Sequence, residues 1–370
     1  MRILSLYYTH KPGGFCKRLY RALAALAQRN HEVHYLSLDP PPPEFPSSVF
    51  FRRIPFCMGT RDGAFFWLLF TLWCPIYAAF VARKLKADRY FVFGAYYAAM
   101  MCVAKKFCAA PLVLFMRSLV FKINRITEKP LFFRLGFDLL ERFGARSADT
   151  VVCMTESMRN ELEKFIGGKL RKSVILPNDL PPARRVSDSA SALKRILNGR
   201  VRDETLLILT SGVIDQRKNL DLLFDAFNAL GERDNGSIFL IIAGDGPLFH
   251  TYRPKAPKQV EFLGWCDTLE PLYAEVDLII HPSLHEGMPN SVLEALAHGK
   301  PVLLADTPEH RELLPVEEAL FPLNDAAKLA ERLLTLARDP QALADLSSIC
   351  QKHSEKYRFD WHSRVLELLV

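Results

Sequence analysis

Short apolar runs alternate with amphipathic stretches along the whole chain. Arg2–Tyr7, Glu32–Leu38, Tyr90–Gly94, Leu112–Met116, Thr150–Met154 and Ser173–Leu176 are runs of four to seven residues with little polar alternation. That pattern predicts strands of a parallel sheet covered on both faces. Phe15–Arg29 and Tyr96–Phe107 repeat apolar residues at helical spacing, which predicts helices between the strands. Pro40–Pro43 is read as a loop, because consecutive prolines suit neither a helix nor an inner strand.

The pattern breaks at 177–192, where PNDLPPARRVSDSASA carries no periodicity. This is read as an interdomain linker leading into a short helix. A second alternation follows. Strands are predicted at Leu206–Thr210, Ile238–Ala243, Val260–Leu263, Leu278–His281 and Val302–Ala305. Helices are predicted at Leu220–Leu230, Leu269–Glu275, Asn290–His298 and Ala326–Arg338. Two doubly wound α/β domains in tandem follow from this order. The expected division is 1–178, 179–355, and a last helix at 356–370 packing back on the first domain. Ligands in such sheets bind beyond the carboxyl ends of the strands, so a cleft between facing domains is the expected site.

Composition narrows the class. A chain of 370 residues with 49% apolar and 24% charged residues is neither disordered nor fibrous. The net charge of +7 is unevenly spread: residues 1–180 hold 27 Lys+Arg against 13 Asp+Glu, and residues 181–370 hold 21 against 28. A basic first half points to an anionic partner. Nucleic acid is set aside, because the aromatics sit in apolar runs and are not interleaved with Arg and Lys on an exposed platform. An anionic membrane surface remains. The eight cysteines form no Cys-x-x-Cys pair and are read as buried thiols of a reducing compartment.

Two segments bear on the membrane. Met1–Tyr8 runs into Thr-His-Lys-Pro-Gly-Gly without a small-residue cleavage site, so it is read as a first strand and not a signal peptide. Ala64–Ala82 holds 19 residues without a charge, long enough to span a bilayer. Pro75 interrupts it and both flanks are basic, which gives no orientation. It is read first as a helix lying in the membrane interface, with a buried core helix and a true span as alternatives. Phe132 and Phe133 beside Arg134 add to this basic, aromatic character.

The stretch with the most chemistry is Leu278–Leu314, LIIHPSLHEGMPNSVLEALAHGKPVLLADTPEHRELL. A strand ends at His281-Pro282-Ser283, a tight loop carries Gly287, and a helix begins near Pro289, where proline costs no hydrogen bond. The free N–H groups of that first turn suit a phosphate. Glu286 and Glu294 are eight residues apart, an offset that places both on the face looking back toward the loop. One carboxylate is positioned for a sugar and the other for a ribose, with Ser291 as a further hydroxyl. His10, His281, His285 and His298 are read as satisfied or exposed histidines. No Asp-x-Asp pair is present, so no metal or other cofactor is expected.

This stretch resembles the glutamate–seven residues–glutamate motif of retaining glycosyltransferases of family 4, which have the GT-B fold of two Rossmann-like domains facing a central cleft. Further residues carry the resemblance. Gly244-Asp245-Gly246-Pro247 is similar to the family's strand-end turn, and Val260–Trp265 to its segment beside the donor base. Glu312 stands where the family has a further glutamate. Ser211-Gly212-Val213 through Phe227 is similar to its phosphate-binding strand–loop–helix, with Lys218 at the lysine that neutralises the donor diphosphate. Gly13-Gly14 is similar to the pair opening the acceptor domain, and Pro177-Asn178-Asp179 to the domain junction. The chain departs at Val213, where the family often has arginine (Arg217 stands in), and at Arg117, in the region of a family histidine.

The resemblance implies a hexosyltransferase using a nucleoside-diphosphate sugar as co-substrate, a UDP-sugar before a GDP-sugar. Catalytic roles fall to Glu286, Lys218 and Arg217. Donor-binding roles fall to Gly13, Gly14, Gly212, Gly244, Gly264, Gly287, Met288, Pro289, Asn290, Ser291 and Glu294, and acceptor-side roles to His10 and Arg117. The expected acceptor is a glycan or lipid-linked molecule, and the expected location is the cytoplasm, peripheral on the inner face of the cell membrane. A nucleotide-sugar 2-epimerase and a non-catalytic sugar-nucleotide-binding protein are the alternative readings.

Overall fold

The computed structural model describes residues 1–10, 14–56, 58, 63–183, 205–234 and 236–369. The second half of the expected linker lies outside the described residues. The chain divides into two compact units, Met1–Pro177 with Asp360–Val370, and Asn178–Phe359.

The first unit is a seven-stranded parallel sheet. Its strands are β1 (Arg2–Leu6), β2 (Glu32–Ser37), β3 (Phe50–Arg53), β4 (Arg89–Phe93), β5 (Leu112–Phe115), β6 (Thr150–Cys153) and β7 (Ser173–Ile175), in the spatial order β3-β2-β1-β4-β5-β6-β7. Every residue of β5 is buried, as expected of a central strand covered on both faces. The connecting helices are α1 (Gly14–Gln28), α2 (Ala64–Leu85), α3 (Ala95–Phe107), α4 (Val120–Ile126), α5 (Leu131–Ser147) and α6 (Glu156–Ile166). Helix α1 buries Cys16, Leu19, Leu23 and Leu26, one apolar face at three- and four-residue spacing. Helix α6 starts at Thr155, whose hydroxyl accepts from the Met158 N–H at 3.1 Å, and stops at left-handed Gly167, two ordinary caps.

Helix α3 is buried over most of its circumference because both α2 and α5 pack on it. Gly144 allows the close approach of α5: a Cβ there would lie 1.9 Å from the Ala95 carbonyl oxygen. The last helix, Trp361–Leu369, closes this unit. Trp361 is buried, with the Arg18 guanidinium 5.2 Å from its ring centre.

The second unit is a six-stranded parallel sheet. Its strands are β8 (Leu206–Ser211), β9 (Ile238–Ala243), β10 (Val260–Gly264), β11 (Leu278–His281), β12 (Val302–Ala305) and β13 (Leu320–Phe321), ordered β10-β9-β8-β11-β12-β13. Strand order reverses between β8 and β11. Side by side, these strands carry Ser211 and His281 at their last positions. That is the switch point where this architecture leaves a crevice. Two parallel-sheet α/β domains are thus present, each of the doubly wound kind.

Candidate active site

A cavity of about 270 Å³ opens at the β8/β11 switch point of the second unit. Three segments build it: the turn after β8, the end of β11 with its following loop, and the start of the helix Asn290–Ala297.

The turn after β8 is shaped by close backbone approach. Gly212 donates its N–H to the Ala243 carbonyl at 3.0 Å, and a Cβ on Gly244 would lie 1.9 Å from the Gly212 carbonyl oxygen. Gly264 accepts the Gly244 N–H at 2.7 Å. Gly244 and Gly264 therefore shape the backbone behind Gly212. The chain then turns through Gln216–Lys218, capped by the Asp215 carboxylate on the Arg217 N–H at 2.9 Å. The Arg217 guanidinium also donates to Asp215, at 2.7 Å from Nη2 to Oδ2. Much of its charge is met within the turn.

Lys218 is differently placed. It is 4% exposed, and its Nζ donates to the Ser211 carbonyl at 2.5 Å. Burial lowers its pKa to about 8, against the pull of Glu286 and Asp215. Its ammonium also stands 3.4 Å from His281 Nδ1. On the other side of that ring, Nε2 stands 3.5 Å from Glu286 Oε1. Burial and the neighbouring Lys218 charge push His281 down to about 3, so the ring is neutral. Burial alone would raise Glu286, but His281, Lys218 and Arg217 outweigh it and hold the carboxyl at about 2. One buried imidazole thus separates a lysine from an ionised glutamate. Ser283, fully buried in the cavity wall, keeps a hydroxyl with no protein partner.

The helix Asn290–Ala297 has no side-chain cap. Pro289, Asn290 and Ser291 line the cavity at its positive end. Pro289 is extended and precedes the helix instead of sitting in its first turn. Asn178, fully buried, ties this loop down: its Nδ2 donates to Asn290 Oδ1 at 2.9 Å and its N–H to Met288 Sδ at 3.1 Å.

Of the residues singled out from the sequence, the cavity brings together Gly212, Arg217, Lys218, Glu286, Pro289, Asn290 and Ser291. Gly287 and Met288 lie in the loop between, Met288 buried. Glu294 departs from the expected geometry. Glu286 lies in the loop and not on the helix, so the eight-residue offset gives the two no common face. Glu294 Oε2 accepts from the Tyr273 hydroxyl at 3.2 Å, and that hydroxyl also lies 3.1 Å from the Ser291 carbonyl oxygen. Gly13 lies outside the described residues, and Gly14 opens α1. In the first unit, His10 stacks on Tyr20 and Arg117 lies over the Phe93 ring at 5.6 Å. Of the histidines read as satisfied or exposed, His281 and His285 are both buried, His281 between two charged groups and His285 3.0 Å from Glu309. His281, Ser283, Asp215 and Asn178 were not picked out from the sequence as site residues. A strand-end histidine in an HPS tripeptide was the available signal for the first two. Among the described residues, no group of three His, Cys, Asp or Glu side chains is placed to hold a metal ion.

The chain resembles known proteins in sequence and in fold. Residues 205–339 match the model of the glycosyl transferases group 1 family, and residues 13–179 that of the glycosyl transferase 4-like domain. A GDP-mannose-dependent α-(1-6)-phosphatidylinositol dimannoside mannosyltransferase of Mycobacterium tuberculosis is 28% identical over 53% of this chain and 51% of its own. An Escherichia coli UDP-Gal:α-D-GlcNAc-diphosphoundecaprenol α-1,3-galactosyltransferase is 24% identical over 59% of this chain and 58% of its own. The chain spans about half the length of the curated relatives it matches. Among solved structures, Anabaena HepE in complex with UDP and glucose shares the fold over 100% of this chain and 99% of that one, at 20% identity and a TM-score of 0.77. Glycosyl transferase models match both halves of the chain, a 4-like domain followed by a group 1 domain, and the chain shares the two-domain fold of that neighbour from end to end, which together support a GT-B glycosyltransferase.

Proposed function

We propose that the protein is a retaining hexosyltransferase. Its donor is a nucleoside-diphosphate sugar, a UDP-sugar before a GDP-sugar. Its acceptor is a glycan or lipid-linked molecule at the cytoplasmic face of the membrane, in the synthesis of surface polysaccharide, lipopolysaccharide or glycolipid. The observation that carries this reading is one cavity holding Lys218, a helix N-terminus and Glu286 side by side. The names of the relatives support the donor class: one uses GDP-mannose, one UDP-galactose, and the solved neighbour binds UDP and glucose.

In this reading the acceptor hydroxyl attacks the anomeric carbon on the face the diphosphate leaves. The C–O bond to phosphate breaks as the new glycosidic bond forms, and the hydroxyl proton passes to the departing phosphate oxygen. The developing charge on the leaving group is what the protein must stabilise. Lys218 and the first-turn N–H groups of the helix face that charge, with Arg217 behind them. Glu286, held ionised, accepts hydrogen bonds from donor-sugar hydroxyls and fixes the anomeric carbon in place. No step here calls for a metal ion.

The test is a thermal-shift screen of UDP-, GDP- and ADP-sugars on the full chain. Hits are then assayed for nucleotide release with and without isoprenoid-diphosphate acceptors. Stabilisation by one nucleotide sugar, with release dependent on acceptor, is the expected result. A donor epimerised at C2 without acceptor, or bound and left intact, overturns it.

A further inference from the structure

Helix α5 is built inside out. Leu131, Phe132, Leu135, Leu139 and Phe143 are each more than half exposed. Its two acids face inward: Glu141 is 1% exposed, and Asp138 pairs with Arg125 at 2.8 Å. A water-facing helix has the opposite arrangement. Helix α2 repeats the pattern. Phe65, Leu68, Leu72, Ile76 and Phe80 point outward at helical spacing, and no acid occurs anywhere along it. The two helices both pack on α3, and they meet where Trp67 and Phe137 stand 5.7 Å apart, ring centre to ring centre. An exposed apolar area of this extent marks an interaction surface.

Cations outnumber acids at its flanks, where Asp88 and Glu128 are the exposed acids near Lys86 and Lys129. Arg83, Lys84 and Lys86 are exposed at the end of α2, and Lys129, Arg142 and Arg146 are exposed before and along α5. We propose that α2 and α5 together form a docking surface for an anionic lipid bilayer, lying in the plane of the headgroup–acyl boundary. A second copy of the chain fits poorly, because it would bring the same cationic rim against itself. A span through the bilayer fits poorly too. Phe66, Phe70, Cys74 and Ala78 are buried in the unit, and crossing a membrane would strip α2 from α3. The proposal deepens the membrane side of the proposed function, but it does not depend on sugar transfer in the second unit.

The test is flotation of the full chain with vesicles of phosphatidylglycerol and phosphatidylcholine, followed in parallel by Trp73 emission. Trp73 is 40% exposed on α2, so its emission shifts blue on docking and Trp73→Phe removes most of that shift. Binding to phosphatidylglycerol vesicles is expected, and it should weaken by ~10-fold or more at about 1 M salt, where screening shortens to about 3 Å. Two triple variants, Leu135→Ser/Leu139→Ser/Phe143→Ser and Phe65→Ser/Leu72→Ser/Ile76→Ser, should each lose ~10-fold or more without a change in melting temperature. Unaltered binding by both variants, or equal binding to pure phosphatidylcholine, overturns the proposal. So does a dimer in sedimentation that these variants dissolve while vesicles are ignored, or membrane release by detergent alone. Nucleotide release without vesicles is measured separately and reports only on the donor site.

Discussion

His281 presents its Nε2 to Glu286 Oε1 at 3.5 Å while Lys218 Nζ stands 3.4 Å from the ring's other nitrogen. An ammonium only donates, so Nδ1 is the acceptor and Nε2 carries the proton toward the carboxylate. The ring is a positioning residue that stands between the two charged groups, hydrogen-bonded to Lys218 and within ion-pair range of Glu286. Replacing it with alanine leaves the carboxylate and ammonium without that intermediary. The loss of one charge-assisted hydrogen bond, about 1.5–3 kcal/mol, corresponds to roughly 10- to 150-fold in donor turnover. His281→Gln keeps a donor near the Nε2 position and should recover part of it. Nucleotide-release kinetics on His281→Ala equal to the parent would show that the ring positions nothing.

Lys218 sets a pH dependence. Its pKa is lowered to about 8 by burial, and a bound diphosphate raises it again by supplying the missing countercharge. Binding then takes up a proton once the pH exceeds the free-protein value. Donor affinity should be flat below pH ~7 and fall by about tenfold per unit above ~8. Calorimetry in buffers of different ionisation enthalpy reads the proton uptake directly. A flat affinity from pH 7 to 9.5 would mean that Lys218 does not meet the phosphate.

The two neighbouring cations should not be equivalent. Arg217 is tied to Asp215 at 2.7 Å and its field is largely cancelled there, whereas Lys218 is buried with its ammonium on the cavity wall. Lys218→Ala and Glu286→Ala should each lower kcat by about 10²-fold or more. Arg217→Ala should cost less, roughly tenfold, and part of that through a loosened turn. Circular dichroism confirms that each variant folds. The reverse ranking would move the phosphate from Lys218 to Arg217.

The apolar runs of β1, β2, β4 to β6 and β8 to β12 stand out in the sequence because buried parallel strands need no polar face. Most of their boundaries fall within a residue or two of the expectation. Strand β3 was missed because its FFRR sequence is a half-exposed edge. Helix α5 was missed for a different reason: its apolar stripe faces out and its acid faces in, so the usual sign of burial is inverted. At the site, Glu286 and a helix start near Pro289 were legible from local spacing, and Lys218 from the family resemblance. His281 was not, because its role depends on strand order. Only the reversal between β8 and β11 brings it beside Lys218, 63 residues away.

Gly244 offers a test of how the phosphate turn is held. Its φ is +147°, and any Cβ would meet the Gly212 carbonyl oxygen at 1.9 Å, a backbone atom that cannot swing aside. Gly244→Ala should destabilise the protein by about 2–4 kcal/mol, roughly 5–15 °C in melting temperature. The displaced Gly212 would carry the Ser211 carbonyl away from Lys218 Nζ, so donor affinity should fall as well. A variant as stable as the parent would show that the two turns separate freely.

Glu141 ties the inverted helix to pH. Burial raises its carboxyl to about 8, Asp138 adds to this, and the Val120 and Phe121 N–H groups and Arg125 oppose it only in part. An unfolded carboxyl near 4.5 releases its proton while the native one keeps it. The first unit therefore loses stability as pH rises through this interval, by up to about 1.4 kcal/mol per unit, and the loss ends above ~8. Glu141→Gln is neutral at every pH and nearly the same shape, so it should melt with the parent at pH ~4.5 and progressively above it toward pH 8. Parallel melting curves for the two proteins across this range would mean that the carboxylate is ionised in the folded helix. The inward face of α5 would then be wet, and its outward apolar face would lose the dry core that holds it in place.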